Sequence, residues 1–190
     1  MCSHRRALKI ALASIVLLVL VSLMACAPSR TQRQRIGGIQ TTTRAGAESA
    51  VIDPAKILAV HNRHRAERGA PVLRWSASIA GSAQSWANRL ASRDRLEHSR
   101  DGLGENLWVG TAGAFTQADM VESWGSEVAY FINGRTFPDT CKGGWSRCAH
   151  YTQIIWRRTT QVGCGLTRRS GKDYFVCQYD PPGNVRGQDP

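Results

Sequence analysis

The sequence predicts an α+β sandwich in which helices surround a small antiparallel sheet. Three segments carry apolar residues at three- and four-residue steps, which is the pattern of helices that bury one face. Two later segments, near residues 161 and 174, have the composition of strands and flank a polar turn with a glycine. Residues 52–190 are expected to form one domain, because about 140 residues are enough to enclose a core.

The first of the three predicted helices has clear signals at both ends. Asp53 can cap it, Pro54 suits its first turn, and Gly69 ends it. The second helix is expected over residues 76–95 and the third over residues 116–131. The apolar lines that define these two helices are Ile79, Ala80, Ala83, Trp86, Ala87 and Leu90 in the second, and Met120, Trp124 and Phe131 in the third.

Three short strands complete the predicted domain. The first covers residues 106–109 and lies between the second and third helices. The other two cover residues 161–167 and 174–179, and a polar turn over residues 168–173 joins them. This spacing predicts a hairpin, in which the two strands pair antiparallel.

Residues 1–25 have the composition of a secretory signal, in which a basic start precedes an uncharged run over residues 10–24. That run of fifteen residues, at ~1.5 Å per residue, spans about 22 Å and is short of a ~30 Å hydrocarbon core. The exit, Leu23-Met24-Ala25-Cys26, resembles a bacterial lipobox. It predicts a lipid on Cys26 that anchors the protein to a membrane, and the alternative is an ordinary secretory signal with an incidental cysteine.

Residues 26–51 are rich in Thr, Gln, Arg, Gly and Ala and show no apolar periodicity, so they predict a flexible tether. The formal charge of the chain is +11 and falls to +8 when the three basic residues of the signal are removed. A basic tether suits an anionic envelope or membrane surface. Nucleic acid is not an expected partner, because the chain has no base-reading motif and no interleaved basic and aromatic patch.

Four of the six cysteines remain after Cys2, which leaves with the signal, and Cys26, which carries the predicted lipid. Four cysteines in an exported domain indicate two disulfides with three possible pairings. We favour one bond across the predicted hairpin and one that closes a short loop. These bonds would join Cys164 to Cys177 and Cys141 to Cys148.

Two stretches carry a family resemblance: residues 149–156, with the sequence AHYTQIIW, and residues 175–184, with the sequence FVCQYDPPGN. They resemble the two signatures of the CAP superfamily of cysteine-rich secretory proteins, antigen 5 and pathogenesis-related 1 proteins. The resemblance implies a three-layer α-β-α sandwich. It also implies a cleft lined by a tetrad of two histidines and two glutamates, which the motifs place at His98, Glu105, Glu127 and His150.

Two imidazoles and two carboxylates allow two interpretations. If both histidines are neutral, the two carboxylates favour a divalent cation such as Zn²⁺. His98 and His150 would then be metal ligands, and Glu105 and Glu127 would be ligands or would orient the imidazoles. If both histidines are protonated, the four groups neutralise one another in a hydrogen-bonded network that needs no metal. Both interpretations stay open, since the two can coexist.

Other polar residues indicate packing more than chemistry. His61 and His64 are three residues apart on one helix face and predict packing or capping. Ser126 lies beside Glu127, but the chain has no Gly-x-Ser-x-Gly elbow and no motif for an oxyanion hole. Glu105 and Glu127 could act as acid and base on a glycoside, yet the family resemblance gives no support for that reaction.

These observations predict a binding or interaction module outside the cytoplasm, either secreted or held to the envelope by its lipid. The resemblance implies a lipid or sterol as a ligand, and an unidentified protein is a further expected partner. Two alternatives remain: a metal-dependent hydrolase that uses the tetrad, and a structural envelope protein. The residues favour binding over catalysis, because no motif marks an activated nucleophile.

Overall fold

The computed structural model describes residues 48–190. The signal predicted over residues 1–25, the lipid site at Cys26 and most of the predicted tether lie outside these residues. The elements are β1 (Glu48–Ser49), α1 (Pro54–Glu67), β2 (Arg74–Trp75), α2 (Ala77–Arg93), β3 (Gly104–Thr111), α3 (Gln117–Gly125), α4 (Ala149–Ile155), β4 (Gln161–Arg169) and β5 (Lys172–Asp180), with short 3₁₀ helices at Ser126–Tyr130 and Trp145–Arg147.

The sheet has the strand order β1-β4-β5-β3, and β2 pairs parallel with β4. Its centre is the predicted β4–β5 hairpin, in which Cys164 lies opposite Cys177 and is bonded to it. The connecting turn consists only of Ser170 and Gly171, with φ of 51° and 76°. Two positive φ values match the turn that suits the twist of a tight hairpin, so both strands are longer than predicted.

Helices cover both faces of this sheet. Side chains alternate along each strand, so one face packs against α1, α3 and α4 and the other against α2. The structure therefore confirms the α+β class and its three layers. The larger core comprises Ile57, Leu73, Met120, Val121, Trp124, Tyr151, Ile154, Ile155, Val162, Cys164, Leu166, Phe175, Cys177 and Tyr179, and the smaller comprises Ala83, Ala87, Leu90, Ala91, Leu107, Tyr174 and Val176.

Two glycines of β4 allow α2 to lie directly on the sheet. A Cβ at Gly163 would lie 2.2 Å from the backbone nitrogen of Ala80, and one at Gly165 would lie 2.3 Å from Cα of Gln84. Both positions face α2, because the intervening side chains of β4 point into the larger core. The backbone of the helix therefore fills the space that side chains would occupy.

The first two helices follow their sequence signals closely. Asp53 caps α1 by accepting from the backbone N–H of Lys56. Gly69, with φ of 62°, lies just beyond the C-terminal end of the helix. Ser76 caps α2 by accepting from the backbone N–H of Ile79. The sequence therefore specifies these helix ends through ordinary capping chemistry.

The third helix is shorter than the predicted span of residues 116–131. The α-helical geometry ends at Gly125, where the ring of His64 packs so closely that a Cβ would lie 2.1 Å from its Nε2. The chain continues as the 3₁₀ helix Ser126–Tyr130, which carries Glu127. The tighter 3₁₀ turn at this point orients the side chain of Glu127 toward α4.

Arg65 ties α1 to the chain that leaves α4. Its side chain is buried and donates to the carbonyl oxygens of Pro71, Ile154, Trp156 and Thr159 at 2.5–2.9 Å. Burial lowers the pKa of Arg65 to about 10, so the guanidinium stays charged at neutral pH. Four carbonyl dipoles therefore replace the water that a buried cation loses.

Among residues 48–190, no helix combines the length and the apolar character needed to cross a membrane. The strand β1 starts four residues before the expected domain start at residue 52. Ser49 pairs with Thr167 of β4, and Ala50 donates to the carbonyl of Leu166 at 3.1 Å. The last residues of the predicted tether thus form an edge of the sheet.

We predict that Gly165→Ala destabilises the protein by about 1–3 kcal/mol, because the new methyl group meets the backbone of α2. Urea unfolding followed by circular dichroism measures this change. Gly81→Ala is the matched control: Gly81 lies within α2 with open space around it, and alanine there should stabilise the helix by about 0.5–1 kcal/mol. Equal losses in the two variants would contradict the close approach of α2 to β4.

Candidate functional site

The first histidine–glutamate pair joins the segment after α2 to β3. Nδ1 of His98 donates to Oε1 of Glu105 at 2.8 Å. The same carboxylate accepts from the backbone N–H of Ser99 at 3.0 Å and from Nε2 of Gln178 at 3.1 Å. The Glu105 side chain is 4% exposed and that of His98 is 65% exposed. A buried carboxylate thus holds an imidazole at the surface.

The second pair joins the 3₁₀ helix after α3 to α4. Nδ1 of His150 donates to Oε1 of Glu127 at 2.6 Å. Oε2 of Glu127 accepts from the backbone N–H groups of His150 and Tyr151 at 3.0 and 3.3 Å. The cap position of α4 is Cys148, whose side chain caps nothing. Glu127 therefore serves as the N-terminal cap of α4 from a distant part of the chain.

The two contacts determine the tautomer of each histidine. An ionised carboxylate can only accept a hydrogen bond, so the proton of each neutral imidazole must sit on Nδ1. Nε2 of His98 and of His150 then carries the free lone pair. Neither Nε2 atom has a hydrogen-bond partner within the described part of the chain.

The structure builds the predicted tetrad as two separate pairs. Among residues 48–190, no hydrogen bond or ion pair joins His98 or Glu105 to His150 or Glu127. Asn106 provides an indirect link, because it follows Glu105 and donates to the backbone carbonyl of His150 at 3.1 Å. In the same region of the chain, no group of three or more His, Cys, Asp or Glu residues is placed to hold one metal ion.

The pairing changes the protonation of His98. The hydrogen bond to Glu105 raises the pKa of His98 above its ordinary value of 6.5, against the opposing effect of burial. A raised pKa means that the contact stabilises the folded protein at pH values below 6.5. That contribution is lost as the pH rises through the raised pKa.

The other two described histidines pack inside the protein. His61 is fully buried, with Nδ1 against the carbonyl of Ile57 and Nε2 against the hydroxyl of Tyr179, both at 2.9 Å. Burial lowers the pKa of His61 to about 4, so this imidazole is neutral at physiological pH. His64 is also buried and lies 3.2 Å from a carboxylate oxygen of Glu122. Both histidines therefore have the packing role that the sequence predicts.

Three residues that the sequence analysis did not single out support the site: Asn106, Gln178 and Tyr179. Asn106 donates to the Tyr179 hydroxyl as well as to His150, and Gln178 donates to both Glu105 and Asp101. Gln178 and Tyr179 lie within the second family signature, and Asn106 follows Glu105. Their place in these motifs is the signal that could have identified them.

The C-terminal turn holds α4 from its outer side. Gly183 donates from its backbone to Oε1 of Gln153 at 3.0 Å, and Asn184 donates to the carbonyl of Ala149 at 2.8 Å. The hydroxyl of Thr152 donates to Oδ1 of Asn184 at 2.6 Å. The residues of the two family signatures therefore bond to one another around α4.

We predict that Glu127→Ala destabilises the protein by about 2–4 kcal/mol, because two backbone N–H groups of α4 and the imidazole of His150 lose their acceptor. Urea unfolding again provides the measurement. Glu67→Ala is the control, since the Glu67 side chain is 54% exposed and should change stability by less than about 0.5 kcal/mol. A loss at Glu127 no larger than that at Glu67 would disprove the capping role.

We predict that the imidazole of His98 titrates above pH 6.5 and that Glu105→Gln lowers its midpoint, because the amide removes the negative acceptor. Proton NMR of the histidine ring signals follows this titration directly. His150 in the same sample provides an internal comparison, since Glu105→Gln leaves its partner Glu127 intact. A His98 midpoint that does not move in the variant would exclude Glu105 as the cause.

Comparison with known proteins identifies a family to which this chain is similar. The model of the cysteine-rich secretory protein family, CAP, matches residues 58–179. Pathogenesis-related protein 1A of Nicotiana tabacum is 40% identical over 134 residues, which cover 70% of this chain and 77% of the relative. Secreted protein RBT4 of Candida albicans is 36% identical over 138 residues, which cover 71% of this chain and 36% of that longer relative.

The fold also matches solved structures. The crystal structure of NaASP2 with Zn²⁺ superimposes with a TM-score of 0.60 at 25% sequence identity, and the match covers 72% of this chain and 83% of that one. The residues matched by the family model include all four tetrad residues, most of α1 and β5, and every element between them, whereas β1 lies outside the match. The chain therefore belongs to the cysteine-rich secretory protein (CAP) family.

Proposed function

We propose that this CAP domain is an extracytoplasmic binding module that holds a divalent cation, such as Zn²⁺, at His98 and His150. The observation that carries the proposal is the free Nε2 of each imidazole, with Nδ1 bonded to a carboxylate. Histidines that ligate zinc in proteins commonly donate their other ring N–H to a carboxylate or carbonyl. That partner orients the ring and increases its basicity.

The donor set favours a weakly held, exchangeable cation. Glu105 and Glu127 each accept three hydrogen bonds from the protein, so they act as orienting partners of the imidazoles and not as direct ligands. Two imidazoles leave at least two positions of a tetrahedral zinc for water or for a bound ligand. The similar NaASP2 structure was determined with Zn²⁺, which supports a divalent cation as a ligand class for this chain.

The engagement of both carboxylates with protein donors favours binding over hydrolysis. A general base needs an oxygen that can accept a proton from water, and three protein donors already compete for the oxygens of each glutamate. The hydrolase alternative therefore has less support from the geometry than a cation-binding module. A lipid or sterol ligand and a protein partner stay predictions of the family resemblance.

An extracytoplasmic location is part of the proposal. The Cys141–Cys148 and Cys164–Cys177 disulfides are of the kind that persist in oxidising compartments. The fungal relative is named as a secreted protein. With the predicted signal and a lipid on Cys26, the domain would stand outside the membrane at the end of a basic tether.

We predict that the purified protein binds Zn²⁺ at pH 7.5 and that affinity falls steeply by pH 5.5. Protons then compete for Nε2 of His98, whose pKa is raised above 6.5, and this competition costs at least about tenfold in affinity at the lower pH. Isothermal titration calorimetry at the two pH values measures this difference. The double variant His98→Gln/His150→Gln should lose binding at pH 7.5.

Glu67→Gln serves as the control, because it removes one exposed negative charge that contacts neither pair. It should bind Zn²⁺ as the unchanged protein does. Absence of binding at pH 7.5, or equal binding by the double histidine variant, would overturn the proposed cation site. The tetrad would then serve only as a structural network.

A further inference from the structure

A polar cleft of about 870 Å³ lies between the outer side of α2 and the segment that follows it. Its walls carry three arginines together with the indole of Trp86 and the imidazole of His98. The remaining lining residues are serines and two acids, so Trp86 is the one large apolar side chain among them. The arginines are Arg89, Arg95 and Arg100.

The two acids of the cleft are already engaged. Glu97 pairs with Arg93 at 2.8 Å and with Arg95 at 3.6 Å. Asp101 accepts from the Ser99 hydroxyl at 2.9 Å and from Nε2 of Gln178 at 2.8 Å. Arginines therefore neutralise Glu97, whereas neutral donors hold Asp101 in place and leave its negative charge.

Two of the arginines have no such partner. Neither Arg89 nor Arg100 makes a hydrogen bond or an ion pair with an acid anywhere in residues 48–190. A guanidinium offers five N–H donors in a fixed planar arrangement and stays charged at any physiological pH. The lining as a whole carries three arginines against two acids, so the cleft keeps an excess of positive charge.

Arg89 is also held in place. Its guanidinium carbon lies 5.3 Å from the ring centroid of Trp86, within the range of a cation–π contact. Trp86 is fixed in turn, because its Nε1 donates to the carbonyl of Glu97 at 3.0 Å. A positioned guanidinium loses less side-chain entropy when it binds an anion than a freely rotating one does.

We propose that this cleft binds a ligand that carries clustered phosphate groups. A phosphate presents several oxygens in different directions, which suits guanidinium groups that approach from separate walls, whereas a carboxylate presents two oxygens in one plane. The volume exceeds the space that one phosphate needs and matches that of ligand sites in general. The charged lining disfavours an acyl chain or a sterol ring.

This proposal does not depend on the cation site, although His98 borders the cleft. Clustered phosphates occur in soluble polyphosphates and in phosphorylated lipid headgroups, and the cleft recognises the chemistry that both share. The charge of the ligand also matches the excess of basic residues in this chain, which carries a formal charge of +11.

Titration of the purified protein with tripolyphosphate by calorimetry tests the proposal, with EDTA present so that no metal contributes. We expect binding, and we expect Arg89→Gln/Arg100→Gln to weaken it at least tenfold. Arg74→Gln/Arg186→Gln is the matched control, since it removes the same charge from two exposed arginines outside the cleft. Its affinity should stay within about twofold of the unchanged protein.

Absence of binding, or equal weakening in the two double variants, would overturn the proposal, because the latter result indicates only long-range charge. Thermal unfolding of each variant verifies that it is folded, and Arg89→Lys provides a second test that keeps the charge but alters the planar donor arrangement. Its affinity should fall, and an unchanged value in both Arg89 variants would exclude that residue from the site.

A second arm identifies the source of the phosphate. Vesicles of phosphatidylcholine with 10% of a phosphatidylinositol bisphosphate are compared with vesicles that contain phosphatidylserine at equal total charge. Binding to the first set alone, lost in the Arg89/Arg100 variant, would assign the cleft to a lipid headgroup. Binding of tripolyphosphate without binding to either vesicle would assign it to a soluble phosphorylated ligand. Failure of zinc titration leaves both results unaffected.

Discussion

The carboxylate of Glu127 is the constraint on which the second half of the domain depends. It lies on a 3₁₀ helix, yet it caps α4 and receives the Nδ1 proton of His150. A helix of seven residues is too short to be stable alone, so it needs an acceptor for its first N–H groups. The group that stabilises α4 therefore also sets the tautomer of a tetrad histidine.

Glu105 applies the same principle on the other side of the site. Its buried carboxylate binds the backbone of Ser99, the amide of Gln178 and the ring of His98. The paired register of β3 and β5 puts Glu105 opposite Gln178, so sheet pairing brings these two side chains together. In both pairs, the glutamate accepts hydrogen bonds from the local backbone and from Nδ1 of the histidine. Nε2 of the imidazole is left available for other chemistry.

Whether the sequence predicts a helix or a strand depends on how that element is buried. The helices α1, α2 and α3 bury one face, so their apolar periodicity is visible, whereas α4 is buried from Tyr151 to Ile155 and has no polar face to reveal its period. The two-residue strands β1 and β2 are too short for any alternation. The motifs predict the four tetrad positions, but their separation into two pairs depends on long-range packing that sequence spacing does not encode.

These contacts also explain how a structural network and a binding site can occupy the same residues. Every carboxylate oxygen of the two pairs has a protein donor, so the network is satisfied without a metal. A cation would use only the two Nε2 atoms, which contribute no described contact to the fold. Loss of the cation should therefore leave the fold intact. Loss of either glutamate would instead leave backbone N–H groups and side-chain donors of the protein without an acceptor. The two glutamates therefore act mainly on the fold, whereas the two histidines would supply the cation ligands of the proposed function.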